Sequence, residues 1–258
     1  MNYRLTIQYD GTEFHGWQVQ GAGERTVQGE LARALSLIEG REVVVHGAGR
    51  TDAGVHAIAQ VASVELGREL SAEKLCAAIN GNIAPDARVI EAQVVDADFH
   101  ARYSARGKTY RYRIFNARYA SPFLSRYAHT DARVLDVERM QACARLFLGT
   151  HDWTAFSAAQ SDVQTRVRTI TQLEIREHWS EEGRGRLVEI TASADGFLRY
   201  MVRSIAGTLL EVGRGQMDAE QVACAIESGE RALAGATAPA KGLTLVAVHY
   251  EEAVTLKQ

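Results

Sequence analysis

Twice along this chain the hydrophobic pattern passes from strand period to helix period and back in the same order. That repetition limits the fold more than any other feature. Tyr3, Leu5, Ile7 and Tyr9 alternate as a strand, and Thr26 caps a helix with Val27, Leu31, Leu35 and Ile38 on one face. Residues 42–48 and 57–66 read as two more strands. Ser71 caps a short helix with Leu75, Ala78 and Ile79 inward, and 87–95 closes with a fourth strand. The second half does the same. A strand over 108–115 and a helix capped by Asp136, with Val137, Met140, Ala144 and Phe147 on one side, lead to a hairpin of 165–177 with 186–194. Helical patterns over 197–212 and 218–227 and a strand over 243–251 complete it. The pattern predicts an α+β fold of two tandem ferredoxin-like β-α-β-β-α-β units with mainly antiparallel sheets. The domain boundary is set between 103 and 104. With a sheet from each half, a central cleft is the expected ligand site.

Composition narrows the class. The apolar fraction of 46% and charged fraction of 24% are ordinary for a globular protein able to bury a core. No stretch approaches the roughly 18 consecutive apolar residues of a membrane span, and Met1-Asn2-Tyr3-Arg4-Leu5 lacks the apolar run of a signal peptide. Cys76, Cys143 and Cys224 are odd in number, far apart and set in helical patterns. They read as small buried hydrophobes in a reducing compartment, and the expectation is a cytoplasmic protein.

The densest chemistry lies at Gly47-Ala48-Gly49-Arg50-Thr51-Asp52-Ala53-Gly54-Val55-His56, just after the apolar run Val43 to Val45. A dinucleotide fingerprint would need a third glycine where Asp52 stands, so the small residues serve a carboxylate. Such a segment is either a strand-to-turn corner, with Asp52 bonding its own backbone, or a loop a ligand can approach closely. Charge distribution is informative as well. The net charge of −3 hides a span from Phe99 to Thr130 with no acidic residue. It carries Arg102, Arg106, Lys108, Arg111, Arg113, Arg118 and Arg126 among tyrosines and phenylalanines. This is a phosphate-backbone footprint or a solvated stretch that merely lacks acids. Trp17, Trp153 and Phe156, in loops of mixed aromatic and polar residues, either stack on exposed bases or plug the space between the domains.

Other chemistries find no motif. There is no Gly-x-Ser-x-Gly elbow, no phosphate-binding Gly-x-x-x-x-Gly-Lys-Ser/Thr loop and no His-Glu-x-x-His helix, and the eight histidines never cluster at metal-ligand spacing. A lone carboxylate can act as nucleophile or base, and it needs no cofactor for either. Neither a metal nor a cofactor is expected.

Gly49-Arg50-Thr51-Asp52-Ala53-Gly54-Val55-His56-Ala57 resembles the active-site motif of tRNA pseudouridine synthases of the A type. Further stretches agree in order: Tyr9-Asp10-Gly11-Thr12, Gly16-Trp17-Gln18, Phe99-His100-Ala101-Arg102, Lys108-Thr109-Tyr110-Arg111-Tyr112, Gly196-Phe197-Leu198 with Met201-Val202-Arg203, and Ala238-Pro239 with Gly242-Leu243. The resemblance covers nearly the whole chain. It implies isomerisation of uridine to pseudouridine at positions 38, 39 and 40 of the tRNA anticodon stem-loop, by a homodimer.

Residue by residue, the resemblance implies that Asp52 attacks the uridine or deprotonates its sugar. It also implies that Tyr110 stacks on the target base, that Arg203 pairs with Asp52, and that Arg50 helps extrude the nucleotide. Leu245 would line an apolar wall. Arg102, Lys108 and Arg111, in the basic stripe, would hold the RNA backbone with Arg50. One departure stands at Arg199-Tyr200, where the family commonly has Tyr-His. Arg199 and Arg203, one helical turn apart, are expected to share a face, with Arg199 adding a phosphate contact. The alternatives are a non-catalytic tRNA-binding or RNA-folding module using the same basic cleft, and a hydrolase that uses Asp52 with His56.

Overall fold

The computed structural model describes residues 1–21, 23–159 and 163–251. The first half runs β1 (Asn2–Tyr9), α1 (Val27–Glu39), β2 (Val45–Gly47), β3 (His56–Glu65), α2 (Ala72–Asn80) and β4 (Ala87–Val95). The second runs β5 (Ala105–Asn116), β6 (His129–Asp131), α3 (Val137–Ala144), β7 (Gly149–Asp152), β8 (Val167–Ser180), β9 (Gly185–Ala194), α4 (Met201–Gly213), α5 (Ala219–Ser228) and β10 (Leu243–Tyr250). The chain divides into two units. One holds Met1–Lys108 together with the chain from Leu245 onward, and the other holds Thr109–Thr244. Most of the last strand thus joins the N-terminal half. That return depends on long-range strand pairing, which no local pattern announces.

In the first unit the strand order is β4-β1-β3-β10, with the short β2 also paired to β3. Strand β1 is central and antiparallel to both neighbours, so Leu5 faces Ala62 on one side and Ala92 on the other. Its alternation sends Tyr3, Leu5, Ile7 and Tyr9 into the core, all at 4% exposure or less. The apolar run 43–45 is not a continuous buried strand. Val43 and Val45 are buried while Val44 is 62% exposed, and only 45–47 pair. The helices stop and start where their caps place them. Thr26 Oγ accepts from Gly29 N at 3.2 Å, and Gly40, at φ 78°, ends α1.

In the second unit the order is β5-β9-β8-β7, with β6 parallel to β5. β8 and β9 form the expected hairpin, closing from Ser180 opposite Gly185. Strands β6 and β7, three and four residues long, carry too little pattern to be read from sequence. Helix α4 begins at Met201, not Phe197, because Tyr200 sits at φ 68°, outside helical space. It is apolar almost all round and buried accordingly, from Met201 and Val202 through Ile205 to Leu210. One of its hydroxyls is spent internally. Thr208 Oγ donates to Ser204 O at 2.9 Å and accepts from Gly235 N at 2.9 Å.

The cysteines differ from expectation. Cys143 is buried, Cys76 half-buried and Cys224 exposed, since α5 turns that face outward. Trp17, Trp153 and Phe156 are at most 1% exposed and lie inside their own units, so none of them is a surface for stacking bases. Trp153 packs on Phe147 and Phe156 and donates its indole N–H to Arg168 O at 2.9 Å. Among the described residues no helix is long and apolar enough to cross a membrane.

Candidate active site

The loop 48–56 is clasped by the segment that leaves β1, and glycines make the clasp possible. A Cβ on Gly11 would lie 2.0 Å from Val55 O, and one on Gly47 would lie 2.4 Å from the Trp17 ring. Gly16 combines φ 92° with a Cβ position 2.7 Å from Thr51 O. Across these contacts Trp17 N donates to Thr51 O at 3.0 Å and Gly54 N to Phe14 O at 3.3 Å. Within the loop, Val55 N donates to Asp52 O at 3.1 Å. Asp52 itself is half-buried, and Arg50 is exposed two residues earlier. The backbone that carries the carboxylate is therefore set by hydrogen bonds and close approach on both sides.

A buried polar network lies under the loop. Tyr9 Oη and Thr51 Oγ are 2.8 Å apart. The Gln60 amide donates to Gly49 O at 2.9 Å and reaches Tyr9 Oη at 3.4 Å. Tyr9 and Gln60 are 4% and 0% exposed. Burial pushes the Tyr9 hydroxyl up to about 12, against the pull of its bonds to Thr51 and Gln60. A polar Gln60 at an inward position of β3 is the sequence signal of this network.

His56 is a support of the same loop. Its Nδ1 accepts the Gly11 N–H at 2.9 Å and also lies 3.2 Å from Asp10 Oδ1. Nδ1 accepts the Gly11 N–H only while it carries no proton, so the Asp10 contact becomes an ion pair only when the ring is protonated. Asp10 Oδ1 is meanwhile bonded by Thr12 N at 3.0 Å and Thr12 Oγ at 2.5 Å. With Nδ1 committed to backbone, His56 is poorly suited to be the partner base that a hydrolase using Asp52 would need.

Of the basic residues, Lys108 is brought to the Asp52 loop. Its Cε lies 3.0 Å from where a Gly49 Cβ would stand, so a side chain at 49 would collide with it. Arg102 is exposed, with its guanidinium 5.9 Å from the Tyr103 ring. Leu245 is fully buried on β10. Arg106 pairs with Glu251 at 2.8 Å on the surface. That acid is remote in sequence, which is why the stripe looked unopposed.

In the second unit Tyr110 is 7% exposed on β5, and Phe197 meets its ring edge-on at 5.2 Å and 88°. Arg203 Nε donates to Ala238 O at 2.8 Å while Ala238 N donates back to Arg203 O at 3.0 Å. The stretch Ala238-Pro239 thereby fixes the arginine's stem. Arg199 does not share a helical face with Arg203, because it precedes α4. Both guanidiniums instead lie over the Tyr200 ring, at 4.8 and 5.1 Å.

Arg111 and Arg113 compete for one acid. Arg113 Nε donates to Glu189 Oε1 at 2.8 Å, whereas Arg111 Nε stands 3.5 Å from the same oxygen, and its buried N–H has no hydrogen-bond acceptor among the described residues. Burial, and then the Arg113 charge beside it, lower the Arg111 guanidinium below its ordinary value despite Glu189. Arg111 thus keeps Glu189 as an ion-pair partner at 3.5 Å while its buried Nε–H lacks a hydrogen-bond acceptor among the described residues. Among the described residues no group of three histidines, cysteines or carboxylates could hold a metal ion.

With this geometry described, comparison with known proteins is direct. A family model described as tRNA pseudouridine synthase matches residues 5–104 and 143–251. A tRNA pseudouridine synthase A of Acetivibrio thermocellus is 44% identical over 249 residues, covering 96% of this chain and 99% of its own length. A tRNA pseudouridine synthase A 2 of Clostridium perfringens is 43% identical over 250 residues, covering 96% and 99%. A tRNA pseudouridine synthase A of a Bacillus species is 41% identical over 249 residues, with the same coverage.

Proposed function

The chain belongs to the tRNA pseudouridine synthase family, and from that premise we propose that it isomerises uridine to pseudouridine at positions 38, 39 and 40 of the tRNA anticodon stem-loop. What carries this reading is identity of 40% or more along nearly the full length of several relatives. The motif around Asp52 lies within the matched residues.

In this proposal Asp52 is the catalytic carboxylate. It attacks the uridine or takes a proton from its sugar. The N1–C1′ bond breaks, the uracil turns, C5 bonds to C1′, and the C5 proton is lost while N1 gains one. No oxidant, reductant or co-substrate enters that balance. Arg203, its Nε donating to Ala238 O, is the cation assigned to pair with Asp52 during the reaction. Tyr110 supplies the aromatic face for the extruded base, with Phe197 holding its ring edge-on. Stacking of this kind is worth roughly 1–3 kcal/mol against the few kcal/mol needed to unstack a nucleotide. Arg50, Arg102, Lys108 and Arg111 hold the backbone, the last supported by its unsatisfied donor. Leu245 walls the pocket. We assign the finer architecture as two ferredoxin-like units, and the working assembly as a cytoplasmic homodimer.

The test is incubation of the purified protein with unmodified tRNA carrying uridine at 38, 39 or 40, without nucleotide or redox cofactors. Carbodiimide treatment and primer extension then map the product. Stops confined to those positions are the expected result. Stops elsewhere in the tRNA, with none there, would refute the site assignment.

A further inference from the structure

A cationic cavity lies wholly within the unit 109–244, and the isomerisation as proposed draws on neither Arg166 nor Arg231 in its lining. It has a volume of about 700 Å³ and presents three guanidiniums, from Arg166, Arg199 and Arg231, with the hydroxyl-bearing side chains of Thr154, Ser157 and Thr237 between them. Tyr200 and Ser204, at the start of α4, form part of its wall. We propose that this cavity grips a backbone phosphodiester of the tRNA, through arginines other than those that act on the target uridine. The proposal rests on tRNA being the substrate.

Three observations converge on an anion. First, the arginines are held in place by neutral acceptors. Arg166 Nη1 donates to Ser157 Oγ at 3.1 Å and its Nη2 to Ala159 O at 2.7 Å. Arg231 Nη1 donates to Gly235 O at 2.8 Å and its Nη2 to Thr237 Oγ at 3.1 Å. Among the described residues, neither Arg166 nor Arg231 forms an ion pair with a carboxylate. Their orientation is fixed, and no carboxylate among the described residues pairs with either charge. Second, Arg199 Nη2 donates to Tyr200 Oη at 3.0 Å, which holds a third positive charge at the same wall. Arg166 and Arg231 are like charges on one cavity and repel, and an anion relieves the repulsion.

Third, the wall includes the first turn of α4, a helix of 13 residues with no acidic residue in that turn and no side chain capping its N-terminus. Its dipole adds a partial positive charge where the arginines converge. Tyr200 is the single aromatic on the wall, and its ring is already occupied by the Arg199 and Arg203 cations. Two guanidiniums already compete for that ring, so the grip reads charge and not sequence.

The experiment measures tRNA affinity of the full-length protein across a series of potassium chloride concentrations, for wild type, Arg166→Gln, Arg231→Gln and Arg231→Lys. Each Gln variant is expected to bind about tenfold more weakly near 0.1 M salt, with the slope of log affinity against log salt reduced by roughly 0.7–0.9. Arg231→Lys keeps the charge and should keep the slope. The rate at saturating tRNA should stay within threefold of wild type. Arg199→Gln, on an exposed side chain, supplies the same reading if the other substitutions disturb folding.

An unchanged slope in folded Gln variants overturns the proposal. So does weakening that is equal at every salt concentration, because lost packing, not lost charge, would then be the cause. Inorganic phosphate at matched ionic strength is the control for a free anion. Phosphate that raises the unfolding temperature while the tRNA slopes stay unchanged would also overturn the assignment. Pseudouridine mapping on the same preparations reports on the proposed function separately: absent product with altered slopes fails that function, and normal product with unaltered slopes fails this site.

Discussion

Replacing Gly11 by alanine should damage catalysis as well as stability, because of where its missing side chain would point. The new Cβ would lie 2.0 Å from Val55 O and 2.5 Å from Val55 C, both backbone atoms with no rotamer to change. To regain a van der Waals separation, one of the two segments must withdraw by more than about 1 Å. Val55 is three residues from Asp52 and bonded to its carbonyl, so the withdrawal is passed to the carboxylate. A displacement of that size costs about 10²-fold in rate. Overpacking costs roughly 1–3 kcal/mol of stability. The assay is single-turnover pseudouridine formation at saturating tRNA, alongside thermal unfolding. Gly40→Ala is the control. It forces a side chain into φ 78° at the end of α1 with open space around it, so it should cost about 1 kcal/mol and leave the rate unchanged. A folded Gly11→Ala protein working within threefold of wild type would refute the claim that this clasp positions Asp52.

Two more predictions concern the support beneath the loop. Tyr9 titrates near 10 when unfolded and is raised to about 12 by burial. The stability it confers is therefore complete below pH 10 and is lost as pH rises through 12, a fall of about 2–3 kcal/mol. The buried Tyr112 and Tyr250 are raised in the same direction, so the comparison is denaturant unfolding of wild type against Tyr9→Phe between pH 9 and 11.5. Identical pH slopes for the two proteins would dispose of the Tyr9 contribution. His56→Ala should cost about 1–3 kcal/mol by stranding the buried Gly11 N–H, yet retain measurable pseudouridine formation. Complete loss of turnover in a folded His56→Ala protein would instead restore His56 to a chemical role.

What was legible in the sequence, and what was not, follows from the range of the interactions. The order of elements from β1 to β4, and the caps at Thr26, Ser71 and Asp136, came through because each depends on neighbours within a few residues. The loop around Asp52 was visible as an odd density of small and ionisable residues. Its clasp was not, since Gly11 against Val55 is a meeting of backbone with backbone across some forty residues. The start of α4 was misplaced because 197–200 looks apolar enough for helix, and nothing local shows Tyr200 in left-handed space. The basic stripe overstated its free charge, because Glu189 and Glu251 lie far along the chain from the arginines they meet. Arg166 and Arg231 went unnoticed for the same reason, since a cavity gathers them from three separate segments.

The account stands most directly on Asp52. Asp52→Asn keeps the size of the side chain and removes the charge, so binding and chemistry separate cleanly. Pseudouridine formed from uridine-39 tRNA and the dissociation constant for the same tRNA should be measured on one preparation. The expected result is no detectable product with affinity within a few-fold of wild type. Product at the wild-type rate would contradict the account, and would put a non-catalytic carboxylate at the centre of this loop.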